Sequence, residues 1–248
     1  MAVKKARYGL PDSIRGLTLL SMIGYHGVWD AVYLFDCKLD WFESRAAYAW
    51  QQSICWAFIL LSGFCWPMGK RRLKRGFTVF AAGGFLTLVT LLLLPENRVI
   101  FGVLTFLGFC TLFWIWPEKL CRKLPPLFGL SASLLLFALL RNVNEGWLGF
   151  ERFYLVPVPG GWYRNLFTAW LGFPAADFYS VDYFSFLPWF FLFTAGYYFY
   201  RVLEKNRRLT WLEAGDIPVL NFLGRHSLAI YLLHQPLLFV MLSPIFLV

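Results

Sequence analysis

The sequence predicts an all-α fold: a polytopic membrane helix bundle of about seven transmembrane helices, with the N-terminus in the cytoplasm. Three observations predict it. The 248 residues are 59% hydrophobic and 15% charged, where soluble domains average about 45–50% and about 25%. Apolar runs near the ~20 residues that cross a hydrocarbon core recur along the chain. Basic residues collect on alternate loops, as the positive-inside rule requires.

The first expected span is 16–35, the run LTLLSMIGYHGVWDAVYLF with its polar flank. It is too long for a leader's apolar core and lacks a small-residue cleavage site, so it is expected to stay as a span. Spans at 46–68 and 76–94 follow, separated by KRRLKR, and PENR leads into a fourth at 99–117. Loops this short join antiparallel neighbours. A short fifth span is placed at 125–141, a sixth at 183–200 and a seventh at 227–247.

Two connections are long. The stretch 142–182, on the outer side, is rich in Trp, Tyr, Gly and Pro and carries VPVPGG, which cannot be helical. An aromatic loop of this size suits a lid or an acceptor vestibule. The inner stretch 201–226 is basic and ends in a short interfacial helix. With no linker, repeat or low-complexity tract, residues 1–248 are expected to form one integral-membrane domain.

Charge sets the orientation. Seventeen of the 23 Lys and Arg residues lie in the N-terminal arm (Lys4, Lys5, Arg7, Arg15), KRRLKR, EKLCRK and the 201–226 stretch, and six lie on the other side. The basic side is the cytoplasmic one. The net charge of +9 is therefore mainly topological and calls for no nucleic acid. It would secondarily attract anionic lipid or a phosphate-bearing cofactor. The expected location is the plasma membrane, multi-pass. A homodimer is one assembly the sequence allows.

The five cysteines, Cys37, Cys55, Cys65, Cys110 and Cys121, form no C-x-x-C pair and read as free thiols packed as small hydrophobes. Three histidines without H-x-x-x-H or E-x-x-H spacing give no reason to expect a metal.

What needs explaining is polarity at depth. His26 lies eleven residues beyond Arg15, about 16 Å along a helix and near the middle of the core. Asp30 follows at i+4 on the same face. A carboxylate there can hold an imidazole in one tautomer and raise its basicity, the base-plus-orienter arrangement of activated nucleophiles. The plainer reading is a His–Asp bond that fastens helices. Ionisable groups in lipid mark function by default.

The last span starts GRHSLAIYLLHQP. Arg225 and His226 stand at its cytoplasmic end, where His226 is either a solvated interfacial residue or a ligand contact. His234 is eight residues deeper, either a ligand contact or a helix–helix hydrogen bond. Pro236 can free a backbone carbonyl beside it. At the outer mouth of the sixth span, Asp182 and Tyr183 offer either a helix cap or an acceptor for a substrate amine or hydroxyl. Arg98, Gln51 and Gln52 are further candidates near that surface.

Five segments carry a resemblance: DSIRG (Asp12 to Gly16), YHGVWD (Tyr25 to Asp30), FGVLTFLG (Phe101 to Gly108), DYFSFLPWF (Asp182 to Phe190) and GRHSLAIYLLHQP (Gly224 to Pro236). In this order they resemble the bacterial branch of the heparan-alpha-glucosaminide N-acetyltransferase catalytic-domain family, over nearly the whole chain. The resemblance implies a transmembrane acyltransferase. Animal relatives take acetyl from cytosolic acetyl-CoA and place it on a terminal glucosamine amine across the membrane. Carried over, His26 is the base or transient acetyl carrier and Asp30 its orienter. Arg15 and Arg225 would meet the phosphates of CoA, with His226 and His234 lining the donor's path. The acceptor, a sugar or glycan amine or hydroxyl, would enter past Asp182, Tyr183, Arg98 and Gln52.

The competing class is a proton-coupled transporter or flippase of a small polar or lipid-linked substrate, with His26 and Asp30 as its relay. Transporters usually show duplicated halves with broken helices, and the sequence shows no internal duplication.

Overall fold

The computed structural model describes residues 8–246. The basic arm at Lys4, Lys5 and Arg7 lies outside the described residues. In chain order the helices are α1 (Gly9–Tyr33), α2 (Arg45–Cys65), α3 (Arg72–Leu93), α4 (Val103–Phe113), α5 (Glu118–Cys121), α6 (Pro126–Leu140), α7 (Leu166–Leu171), α8 (Phe186–Lys205), α9 (Pro218–Arg225) and α10 (Ser227–Phe246). Strands β1 (Trp147–Phe150) and β2 (Phe153–Pro157) stand between α6 and α7.

Each of the seven expected spans coincides with a helix. Among the described residues, three stretches are long and apolar enough to cross a membrane by themselves: Arg72–Leu93, Pro126–Glu145 and Ser227–Ile245. α4, at 11 residues, is shorter than its expected span. α1, α2 and α8 have the length, but their polar and tyrosine residues dilute the apolar runs. Leu92 and Leu93 on α3 and Val240 and Met241 on α10 are more than two-thirds exposed, as lipid-facing side chains must be.

The all-α expectation needs one correction. Within the 142–182 stretch, residues 147–157 fold back as an antiparallel hairpin, with Trp147 opposite Pro157 and a register shift at Leu148/Gly149, and α7 follows. Asn142 closes it, its Nδ2–H donating to Glu151 O at 2.7 Å. The inner stretch does contain the expected short helix, α9.

The chain divides into two compact units, one of the described residues up to Leu61 together with those from Arg207 onward, the other Ser62–Asn206. In the first unit, Leu19 and Met22 of α1 and Ile54 of α2 form a core. Tyr25, Trp50, Leu223, Ile230 and Tyr231 pack round it. α1 meets α9 at backbone distance: a Cβ on Gly16 would lie 2.1 Å from Leu220 O, and one on Gly224 would lie 2.0 Å from Asp12 O. Ser13 fastens this contact, its Oγ lying 2.7 Å from Asn221 Oδ1 and 2.8 Å from Gly215 O. That contact explains why α1 begins seven residues before its expected span. Asp12 and Ser13 are buried against α9 rather than left at an interface.

In the second unit α3 packs on α4 and α6 on α8. Gly83 lies against Thr105 of α4, whereas Gly84 faces open space. Thr194 of α8 donates to Ser133 of α6 at 3.0 Å, a buried polar tie. Trp114, Phe190 and Tyr197 pack edge to face between α4 and α8. Among the described residues no disulfide joins any of the five cysteines.

Candidate functional site

In the first unit α10 lies along α1 and brings polar groups of both helices together. Asp30 is fully buried and His234 is 7% exposed. The His26 and His234 rings stand 4.9 Å apart between centroids, tilted by 57°. Tyr25 meets His26 edge-on at 5.9 Å.

The expected bond between Asp30 and His26 is not made. Asp30 Oδ1 accepts from Gln235 Nε2 at 2.6 Å, and Asp30 Oδ2 has no hydrogen-bond partner. The i+4 spacing put both side chains on one face, but tertiary packing chose the partner. α10 offers an amide to the carboxylate, and a second imidazole to His26.

The tautomer of His234 follows from its neighbour. His234 Nδ1 lies 2.5 Å from Tyr231 O, and a carbonyl can only accept. Nδ1 therefore carries the proton in neutral His234, which leaves Nε2 with a lone pair. That Nε2 is buried without a partner, as is Gln235 Oε1. Pro236 sits inside α10 and supplies no N–H to the Leu232 carbonyl one turn back. Three side-chain acceptors and a freed carbonyl thus stand at one depth of α10 against α1. Buried polar atoms without partners are costly and rare in folded chains.

Arg15 and Arg225 are brought together elsewhere in the same unit, at the start of α1. Arg15 Nη1 lies 3.2 Å from Asp12 Oδ1 and Arg225 Nε lies 3.5 Å from Asp12 Oδ2. One carboxylate thus aligns two guanidinium groups, of which Arg225 is 46% exposed. His226 is exposed, its Nδ1–H donating to Phe222 O at 2.8 Å at the α9–α10 break. Gln52 is engaged within α2, where Oε1 accepts from Trp56 Nε1 at 3.1 Å.

The remaining candidates belong to the second unit. Asp182 does cap a helix, but α4 rather than its own: Oδ2 accepts from Val103 N at 3.0 Å. Burial raises its carboxyl to about 6, against the pull of that N–H. Tyr183 Oη donates to Ala169 O and accepts from Asn144 Nδ2, tying α7 to the chain before α8. Arg98 donates from Nε to Tyr179 O at 3.2 Å. It lines a cleft of about 810 Å³ with Arg164, Asn165, Asp177 and Phe178. Among the described residues no cluster of three or more His, Cys, Asp or Glu could hold a metal ion.

The catalytic-domain family of heparan-alpha-glucosaminide N-acetyltransferase matches residues 7–236, which spans every group named above. The chain belongs to this family. The heparan-alpha-glucosaminide N-acetyltransferase family points to an acetyltransferase held in a membrane, in keeping with the three apolar helices. No curated protein and no solved structure matches the chain.

Gln235 and Asp12 are the groups that sequence reasoning passed over. A glutamine inside an apolar run was visible as an anomaly, and Asp12 was visible within DSIRG. Their partners were not, because each lies on the far side of a contact made across some 200 residues.

Proposed function

We propose that this chain is a membrane-embedded acyltransferase that moves acetyl from cytosolic acetyl-CoA to an amine or hydroxyl of a sugar or glycan, across the membrane. The topology proposed is seven spans, N-terminus cytoplasmic, in one functional domain in the plasma membrane. The observation that carries the reading is the cluster of His26, Asp30, His234 and Gln235, whose open acceptors suit a reacting N–H or O–H. Family membership supports transfer over proton-coupled transport.

In this mechanism the acceptor's nitrogen or oxygen attacks the thioester carbonyl carbon. Its proton passes to an imidazole, the C–S bond breaks, and the thiolate takes that proton to leave as CoA. His26 is the imidazole that meets the substrates, because it is half-buried while His234 is enclosed. It either receives the proton or carries acetyl between donor and acceptor. His234 Nε2 and Asp30 Oδ2 stand behind it as enclosed acceptors, placed to take a proton passed on from the reacting N–H or O–H. Arg15 and Arg225, aligned by Asp12, take the donor's phosphates, the task to which guanidinium geometry is suited. In the second unit, the cleft lined by Arg98 and Asp177 offers opposite charges to polar groups of a sugar.

The test is thiol release from acetyl-CoA by purified protein, across a panel of amino sugars and neutral sugars. Acceptor-dependent release that His26→Ala abolishes is expected. Thermal scans run alongside: acetyl-CoA at about 100 times its Kd stabilises a folded protein by roughly 2.7 kcal/mol. Absence of both release and stabilisation at millimolar acetyl-CoA would overturn the reading.

A further inference from the structure

At the start of α3, four cationic side chains surround one cavity. Lys70, Arg71, Arg72 and Arg75 line it together with Trp66 and Thr111, its volume is about 130 Å³, and no carboxylate is among its lining residues. The floor is rigid. Trp66 is 3% exposed and its Nε1–H donates to Thr111 O at 3.0 Å. The Arg72 guanidinium lies 3.9 Å over the Trp66 ring. Arg72 also donates from Nε to Trp66 O and from Nη2 to Pro67 O, both at 3.3 Å. One positive charge is therefore preset in the cavity wall, while Lys70 and Arg71 are exposed beside it.

A topological signal asks only that cations gather on one side of a membrane. It does not ask that four of them share a cavity, where like charges repel. A doubly charged anion removes that repulsion, and the planar guanidinium matches phosphate oxygens in pairs. The backbone adds to the field, since Arg71 caps the 22-residue α3 without a side-chain cap bond and leaves its first N–H groups pointing outward.

We propose that this cavity is a binding site for a phosphate ester, with Arg72 fixed in its wall and Lys70 and Arg71 closing on the anion. Two sources present that chemistry: the headgroup of an anionic lipid such as phosphatidic acid, and the phosphate of a soluble nucleotide. The site does not rest on the transfer reaction, so its test needs no turnover.

The full chain is placed in phosphatidylcholine nanodiscs. One arm titrates adenosine 3′,5′-bisphosphate, with adenosine as control. The other arm replaces a minority of the lipid by phosphatidic acid. Melting temperature is read in both, for wild type and for K70Q/R71Q, whose side chains are exposed and whose loss should spare the fold. Stabilisation of wild type in at least one arm is expected, weakened about tenfold in apparent affinity in the double variant and falling with added salt. A response to bisphosphate alone assigns a soluble phosphate, and a response to phosphatidic acid alone assigns a lipid headgroup. No response in either arm, an equal response to adenosine, or an undiminished response in the folded double variant overturns the proposal.

Discussion

Gln235 donates to Asp30 at 2.6 Å, across the contact between the last helix and the first, and among the described residues supplies that carboxylate's one hydrogen bond. An amide donor serves the carboxylate whether or not a neighbouring imidazole is charged, so the acid is held in place independently of the state of His26.

Removing the amide should therefore cost both fold and rate. Gln235→Ala leaves a fully buried carboxylate without a donor, a loss of about 1–3 kcal/mol. Its melting temperature should fall by several degrees and acetyl transfer with it. Asp30→Asn can still accept from Gln235, so its melting temperature should stay near wild type while transfer drops. Full transfer by a well-folded Asp30→Asn protein would remove Asp30 from the chemistry.

The histidines should separate binding from reaction. His26→Ala should lose about 10²–10⁴ in transfer rate, the usual worth of a positioned acid–base group. It should keep the stabilisation given by acetyl-CoA. His234→Ala should also slow transfer, through loss of the open Nε2 acceptor. Unchanged single-turnover rates in both variants would sink the assignment.

Donor binding should depend on the pair aligned by Asp12. Arg225→Gln should raise the KM for acetyl-CoA about tenfold, because a charge-assisted hydrogen bond is worth roughly 1.5–3 kcal/mol, and should leave kcat nearly unchanged. A fall in kcat with KM intact would place Arg225 outside the donor site.

Asp182 gives the fold a pH dependence. Its carboxyl is raised to about 6 by burial, whereas an unfolded Asp titrates near 3.9. Its stabilising contribution is thus fully present below the unfolded value and is lost as pH rises through about 6. Melting temperature should decline between about pH 4 and pH 6 in wild type, more steeply than in Asp182→Asn, and level off above that. Parallel curves for the two proteins would refute this.

The contact of α1 with α9 should tolerate no added atom. Gly16→Ala places a methyl carbon where Leu220 O stands, an overpacking cost of about 1–3 kcal/mol. A thermal scan checks it, and an unshifted midpoint would mean that the helices part freely.

Much of the fold was legible in the sequence, and the reasons are physical. Runs of Leu, Phe and Val near 20 residues long mark their helices whatever packs against them. The same reading put His26 and Asp30 on one face of α1, which is a property of a single helix. It could not pair Asp30 with Gln235 or His26 with His234, because helical periodicity says nothing about which helix lies alongside or at what height. VPVPGG was read correctly as breaking a helix, but the hairpin at Trp147–Pro157 depends on cross-strand partners. Asp182 reads as either a cap for the helix that follows it or an acceptor for substrate, and tertiary structure makes it a cap of α4.

The paired glycines have one more consequence. With Gly16 seated on Leu220 and Gly224 on Asp12, α9 cannot slide along α1. α10 starts two residues after α9 ends, so this clasp acts as a datum from which the depth of every residue on α10 is counted. Inserting one residue after His226 would turn the following helix by about 100° and shift it by about 1.5 Å. His234 would then face away from His26, with every side chain of both helices still present. Distance along the chain from a backbone clasp, as much as the identity of the histidine, sets where the second imidazole stands.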